Sequence, residues 1–150
     1  MEILVEQLEE QLVAVISTTT SQQEIGTKVG ENFGKIIQYL GKQQQNPIGA
    51  PFVAYYSLDP ENLQVDFGFP VAEALPETNI IKLKKTPAGK VVTCIHKGSY
   101  TTLGETYETM TTYMQKENIE PTMIAYEYYL NNVTEVPEEA LLTKVVLYTK

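Results

Sequence analysis

Between Ser21 and Gln45 the apolar residues Ile25, Val29, Phe33, Ile36 and Leu40 recur at steps of four, four, three and four, the stripe of an amphipathic helix. Ser21 followed by Glu24 has the form of a capping box at its start. The stretch Ile3–Ser17 before it, which contains the apolar run Leu12–Ile16, predicts a strand. Beyond the helix, Pro51–Ser57 and Leu63–Val71 are β-rich runs around Asp59-Pro60-Glu61-Asn62, a turn sequence, and predict a hairpin. The same order then returns. Lys90–Lys97 predicts a strand, Thr102 with Glu105 a second capping box, and Leu103, Tyr107, Met110 and Met114 a second helical stripe. The helices are expected near residues 21–45 and 101–117, and the strands Met123–Asn131 and Leu141–Tyr148 follow.

The two halves align. Val29-Gly-Glu-Asn-Phe33 matches Leu103-Gly-Glu-Thr-Tyr107 at an offset of 74 residues, which also pairs Ile36 with Met110, Tyr39 with Tyr113, Leu40 with Met114 and Pro47 with Pro121. Gly30 and Gly104 fall in register although glycine costs about 1 kcal/mol inside a helix. With the loop three residues shorter, Val53-Ala-Tyr-Tyr56 lies over Ile124-Ala-Tyr-Glu127. The expected fold is α+β: one domain over 1–150 built from two β-α-β-β repeats, 1–75 and 76–150. Related by a pseudo-twofold, they would form a mostly antiparallel sheet with two main helices and a central groove, a common place for a small molecule.

Composition narrows the function. Eleven Lys, no Arg and nineteen acids give a net charge of -8, which argues against binding nucleic acid, where basic faces neutralise phosphate. One Cys and one His cannot furnish a zinc site or a disulfide framework, so neither metal nor other cofactor is expected. The N-terminal residues carry Glu2, Glu6, Glu9 and Glu10, unlike a signal peptide, and no apolar run approaches the roughly 20 residues of a membrane span. A cytoplasmic location is the expectation.

One residue calls for explanation. The strand Met123–Leu130 is apolar or aromatic apart from Glu127, and alternation places Met123, Ala125, Glu127 and Tyr129 on one face. Its counterpart in the first half is Tyr56, which shares a face with Phe52 and Ala54. If these faces line the groove, Phe52, Tyr55, Tyr56, Tyr100 and Tyr129 surround one acid, a box suited to a lipophilic cation by counter-charge and cation–π attraction. The other reading is an edge-strand Glu that faces water and blocks aggregation. Cys94 and His96 lie two apart on a strand, side by side without aiming at each other, and Asp66 alternates with Val65 and Phe67 and is expected to face solvent.

Three stretches, His96-Lys-Gly-Ser-Tyr100, Glu127-Tyr-Tyr-Leu-Asn-Asn132 and Val136-Pro-Glu-Glu-Ala-Leu-Leu-Thr-Lys-Val145, resemble in order and spacing the motifs of the GyrI-like small-molecule-binding family, the effector-binding domain of AraC-type and MerR-type multidrug regulators. The resemblance implies a tandem β-α-β-β fold and an aromatic pocket whose Glu falls on Glu127 and whose Tyr falls on Tyr100. It implies binding of cationic, hydrophobic drugs and dyes. Stand-alone members also suggest two alternatives: a hydrolase of cyclopropane-bearing genotoxins, with Glu127 catalytic and Tyr56 or Tyr100 orienting the substrate, and a protein-interaction module acting on gyrase. This chain departs from the pattern at Asn132 and Lys144, where the family has acids.

Overall fold

The computed structural model describes residues 2–57 and 59–150. Its regular elements are strands β1 (Ile3–Leu8) and β2 (Leu12–Thr20), helix α1 (Ile25–Lys42), strands β3 (Phe52–Tyr55), β4 (Leu63–Pro70), β5 (Lys82–Lys85) and β6 (Gly89–Lys97), helix α2 (Leu103–Lys116), and strands β7 (Pro121–Tyr129) and β8 (Leu142–Thr149). Two compact units form. One holds residues 9–88; the other joins residues 1–8 to 89–150.

In the unit of residues 9–88 the strands lie in the order β3-β4-β2-β5, all antiparallel, with Val53 opposite Phe67 and Phe67 opposite Ile16. One face packs on α1: Ala14, Ile16, Phe69 and Val71 meet Ile36, Tyr39 and Leu40. In the other unit the order is β7-β8-β6-β1, also antiparallel, and Val92, Cys94, Ala125, Val145 and Leu147 meet Met110 and Met114 of α2. Each unit thus runs β-α-β-β with the same neighbours: β2, α1, β3, β4 in one and β6, α2, β7, β8 in the other. Ile36 and Met110, paired by the sequence offset, are both fully buried, as are Leu40 and Met114. The offset also pairs the buried polar residues Asn32 and Thr106.

The ends of the pattern differ from expectation. Ile3–Ser17 is not one strand, because the adjacent charges Glu9 and Glu10 interrupt it. β1 then pairs with β6 along its whole length, Ile3 opposite Cys94 and Leu8 opposite Gly89. The corresponding place beside β2 is taken by β5, a strand hidden from apolar periodicity because three of its four residues are Lys. The compact units accordingly part the chain at 8/9 and 88/89.

Ser21 holds the turn that leads into α1, its Oγ accepting the Glu24 N–H at 3.2 Å, while the N-cap residue Glu24 makes no side-chain cap. The second capping box does not form. The Thr102 hydroxyl lies 3.0 Å from the His96 ring and donates to the Ser99 carbonyl at 2.8 Å, and Ser99 Oγ instead accepts the Thr101 N–H at 3.2 Å. At Gly30 a methyl group would meet nothing within 4 Å. Gly30→Ala is therefore expected to stabilise the protein by about 1 kcal/mol, because alanine restricts the unfolded chain and favours helix; urea denaturation reads the shift.

Candidate functional site

On β7, Glu127 stands opposite Val145, and Val145 stands opposite Cys94 on β6. Directly opposed residues share a face, so Glu127 lies on the side covered by α2. It is buried, at 7% exposure. Helix α2 contributes the Tyr107 hydroxyl, which donates to Oε2, and the Tyr129 hydroxyl donates to Oε1 at 2.8 Å. Tyr129 meets Tyr100 edge to face, with ring centroids 5.7 Å apart. Tyr100, just past Gly98 in a short 3-10 turn leading into α2, is the exposed member of the group, at 40%. Three of the residues singled out by sequence, Glu127, Tyr129 and Tyr100, thus meet. Tyr107, which sequence placed in the second helical stripe, joins them: its ring packs against the core and its hydroxyl reaches Glu127.

Beside this group His96 stands opposite Thr143, which stands opposite Tyr129. Its Nε2 lies 3.0 Å from the Ser99 carbonyl, and its Nδ1 lies 2.6 Å from the Thr106 hydroxyl. Both ring nitrogens are held by groups other than Cys94, whose thiol is pushed up by burial, and the pair forms no nucleophile–base couple. Met123, expected on the Glu127 face, sits at a strand irregularity with φ of 75° and is exposed.

Burial pushes the Glu127 carboxyl above its ordinary value; the Tyr107 and Tyr129 hydrogen bonds and the nearby His96 act in the opposite direction but are outweighed. In the unfolded chain the group titrates near 4.5. Below that pH it is protonated in both states. As pH rises through the folded value the unfolded chain loses its proton first, so this group's support for folding is withdrawn. Glu127→Gln is expected to be more stable than the parent at pH 7 and equal to it at pH 4, as measured by thermal unfolding; a constant difference across this range would exclude the linkage.

The first unit is arranged differently from expectation. Tyr55, opposite Val65 and through it Thr18, lies on the α1 side of its unit, as Glu127 lies on the α2 side of the other. The sequence alignment set Tyr56 over Glu127, but Tyr56 lies on the other face of its strand, since neighbouring residues of a strand point to opposite faces. Phe52 and Tyr56 consequently lie on the side away from α1. Phe52 is 1% exposed and packs over Gly68 and Val15. The Tyr56 hydroxyl donates to Asp66 Oδ2 at 2.9 Å. Asp66 does not face solvent: it is 3% exposed, accepts from the Ser17 hydroxyl, and pairs with Lys84 Nζ at 2.7 Å, the ammonium also sitting 5.2 Å from the Tyr56 ring centre. Alternation placed Asp66 on the correct side but could not show Tyr56 and Lys84 closing over it.

An α+β unit with a carboxyl buried among phenols, one of them exposed, is the candidate place for a small molecule. The chain belongs to the GyrI-like small molecule binding domain family, whose model matches residues 1–148. No curated protein matches it by sequence. Among solved structures it is similar to EcmrR in a cryo-EM EcmrR–DNA complex, at 18% identity and TM-score 0.85, over 99% of this chain and 57% of that one. The chain thus spans little more than half the length of EcmrR, and it covers 97% of the isolated EcmrR C-terminal domain, at 18% identity and TM-score 0.79 over 99% of this chain. It is also similar to SAV2435 bound to tetraphenylphosphonium, at 14% identity and TM-score 0.73, over 100% of this chain and 94% of that one. A hydrolase from Listeria innocua is similar at 14% identity and TM-score 0.74, over 99% and 92% of the two chains. At these identities the likeness shows the fold. No helix among the described residues is long and apolar enough to cross a membrane.

Proposed function

We propose that this domain binds lipophilic organic cations, with Glu127 as counter-ion and Tyr100, Tyr107 and Tyr129 as its aromatic surround. One contrast carries the reading. The two buried carboxylates among the described residues are Asp66 and Glu127. Asp66 has a resident ammonium, Lys84. The described ion pairs give Glu127 none; its partners are two phenols, which stabilise a negative charge without neutralising it. A cation that brings its own apolar groups supplies the missing charge, repays desolvation by burying those groups, and gains cation–π attraction from the rings. The tetraphenylphosphonium in the SAV2435 structure is a ligand of this class.

The net charge of -8 supports action without direct DNA contact, as a sensor or sequestering protein for such compounds. Calorimetric titration with tetraphenylphosphonium and with neutral triphenylphosphine oxide tests the reading. The cation is expected to bind at least about tenfold more tightly, which is what a modest desolvated charge interaction supplies. Equal affinities would overturn it.

A further inference from the structure

The unit of residues 9–88 contains a cavity of about 460 Å³ lined by Ile16, Ser17 and Thr18 of β2, Lys28, Glu31, Asn32 and Lys35 of α1, and Asn79, Ile80 and Lys82 at the entry to β5. Its origin lies in strand lengths. β4 runs beside β2 from Val13 to Thr20, but β5 pairs with β2 only from Leu12 to Val15. The Leu12 carbonyl is taken on the β4 side by the Val71 N–H, and the Gln11 carbonyl on the β5 side by the Thr86 N–H. By alternation the odd-numbered residues of β2 turn their peptide groups toward β5. Past Val15, where β5 has ended, Ser17 turns its N–H to the cavity.

The charge around the cavity runs against that of the protein. Lys28, Lys35 and Lys82 line it with one acid, Glu31, in a chain of net charge -8. Lys28 reaches Glu31 only at 3.8 Å, and Lys35 forms no ion pair among the described residues. The fold does not demand these lysines: the repeat offset places Thr102 and Thr109 of the other unit where Lys28 and Lys35 stand. Asn32, on the same face, is 6% exposed, with its amide donating to the Lys28 carbonyl at 2.8 Å, which ties down the turn of α1 that carries Lys28.

We infer that this cavity is a second ligand site, independent of Glu127, that takes a small carboxylate or phosphate anion. Lys28 and Lys35 provide the charge, and the Ser17 N–H provides a directed donor at an edge where no strand competes for it.

The test is an NMR titration of the ¹⁵N-labelled protein at low salt with inorganic phosphate and, separately, with succinate. Saturable shifts are expected at Ser17, Thr18, Asn32 and Asn79, weakening as sodium chloride is added. In Lys28→Met/Lys35→Met the affinity is expected to fall about tenfold or more, since each charged hydrogen bond contributes to binding. Lys116→Met, a charge removed from the end of α2, and Glu127→Gln are expected to leave the titration unchanged. Wild-type shifts that never saturate, or saturable shifts that survive in the double variant, would overturn the inference. Amide spectra of the variants establish that each is folded.

Discussion

Glu127→Gln is expected to weaken tetraphenylphosphonium binding by about 100-fold or more while changing the affinity for neutral triphenylphosphine oxide by less than about threefold. The substitution keeps the length and planarity of the side chain, and Tyr107 and Tyr129 still find hydrogen-bond partners, so the aromatic surround remains. Only the charge is lost. The parent protein adds a second signature. Burial raises the Glu127 carboxyl in the empty site, and a bound cation favours its ionised form. Binding of the cation therefore releases a proton over the interval between the bound and empty values, and affinity rises with pH until the empty site is ionised. Calorimetry in buffers of different ionisation enthalpy counts that proton. A loss shared equally by the charged and neutral ligands would mark Glu127 as a structural residue.

Gly68→Ala is expected to cost about 3 kcal/mol, the upper end for adding a carbon to a packed core, and to lower the melting temperature by roughly 10 °C. A methyl group there would lie 2.5 Å from Phe52 Cζ and 2.8 Å from Val15 Cγ1, both on fully buried side chains. Phe52 is opposite Gly68 across the β3–β4 pair, and Val15 is opposite it across β2–β4, so neither can turn aside without disturbing a strand. Phe52→Leu alone removes ring contacts and destabilises; combined with Gly68→Ala it should recover part of the loss, because the two changes share one space. Strict additivity in differential scanning calorimetry would show that the ring is not the obstacle. The same packing explains why Phe52, read from sequence as a wall of the ligand site, serves the core.

Both helices, the hairpin around residues 59–62 and the duplication were present in the sequence, because each rests on periodicities within a few turns or residues. Glu127 could be singled out for the same reason: an acid in an aromatic strand is an anomaly that local pattern exposes, and the motifs around Tyr100 and Glu127 belong to the half of the chain that carries them both. Strand partners were another matter. Which strand lies beside β2 is decided by long-range pairing, and it went to the lysine-rich β5 while β1 crossed to β6. The register of β3 was decided by its ladder with β4, which put Tyr55 on the α1 face and Tyr56 on the opposite one. Asp66 and Glu127 look alike in sequence, each a single acid between apolar neighbours. Only the tertiary structure, by bringing Lys84 over the first and two tyrosine hydroxyls to the second, made one an ion pair and left the other a buried carboxyl held by phenols, with no ion pair among the described residues.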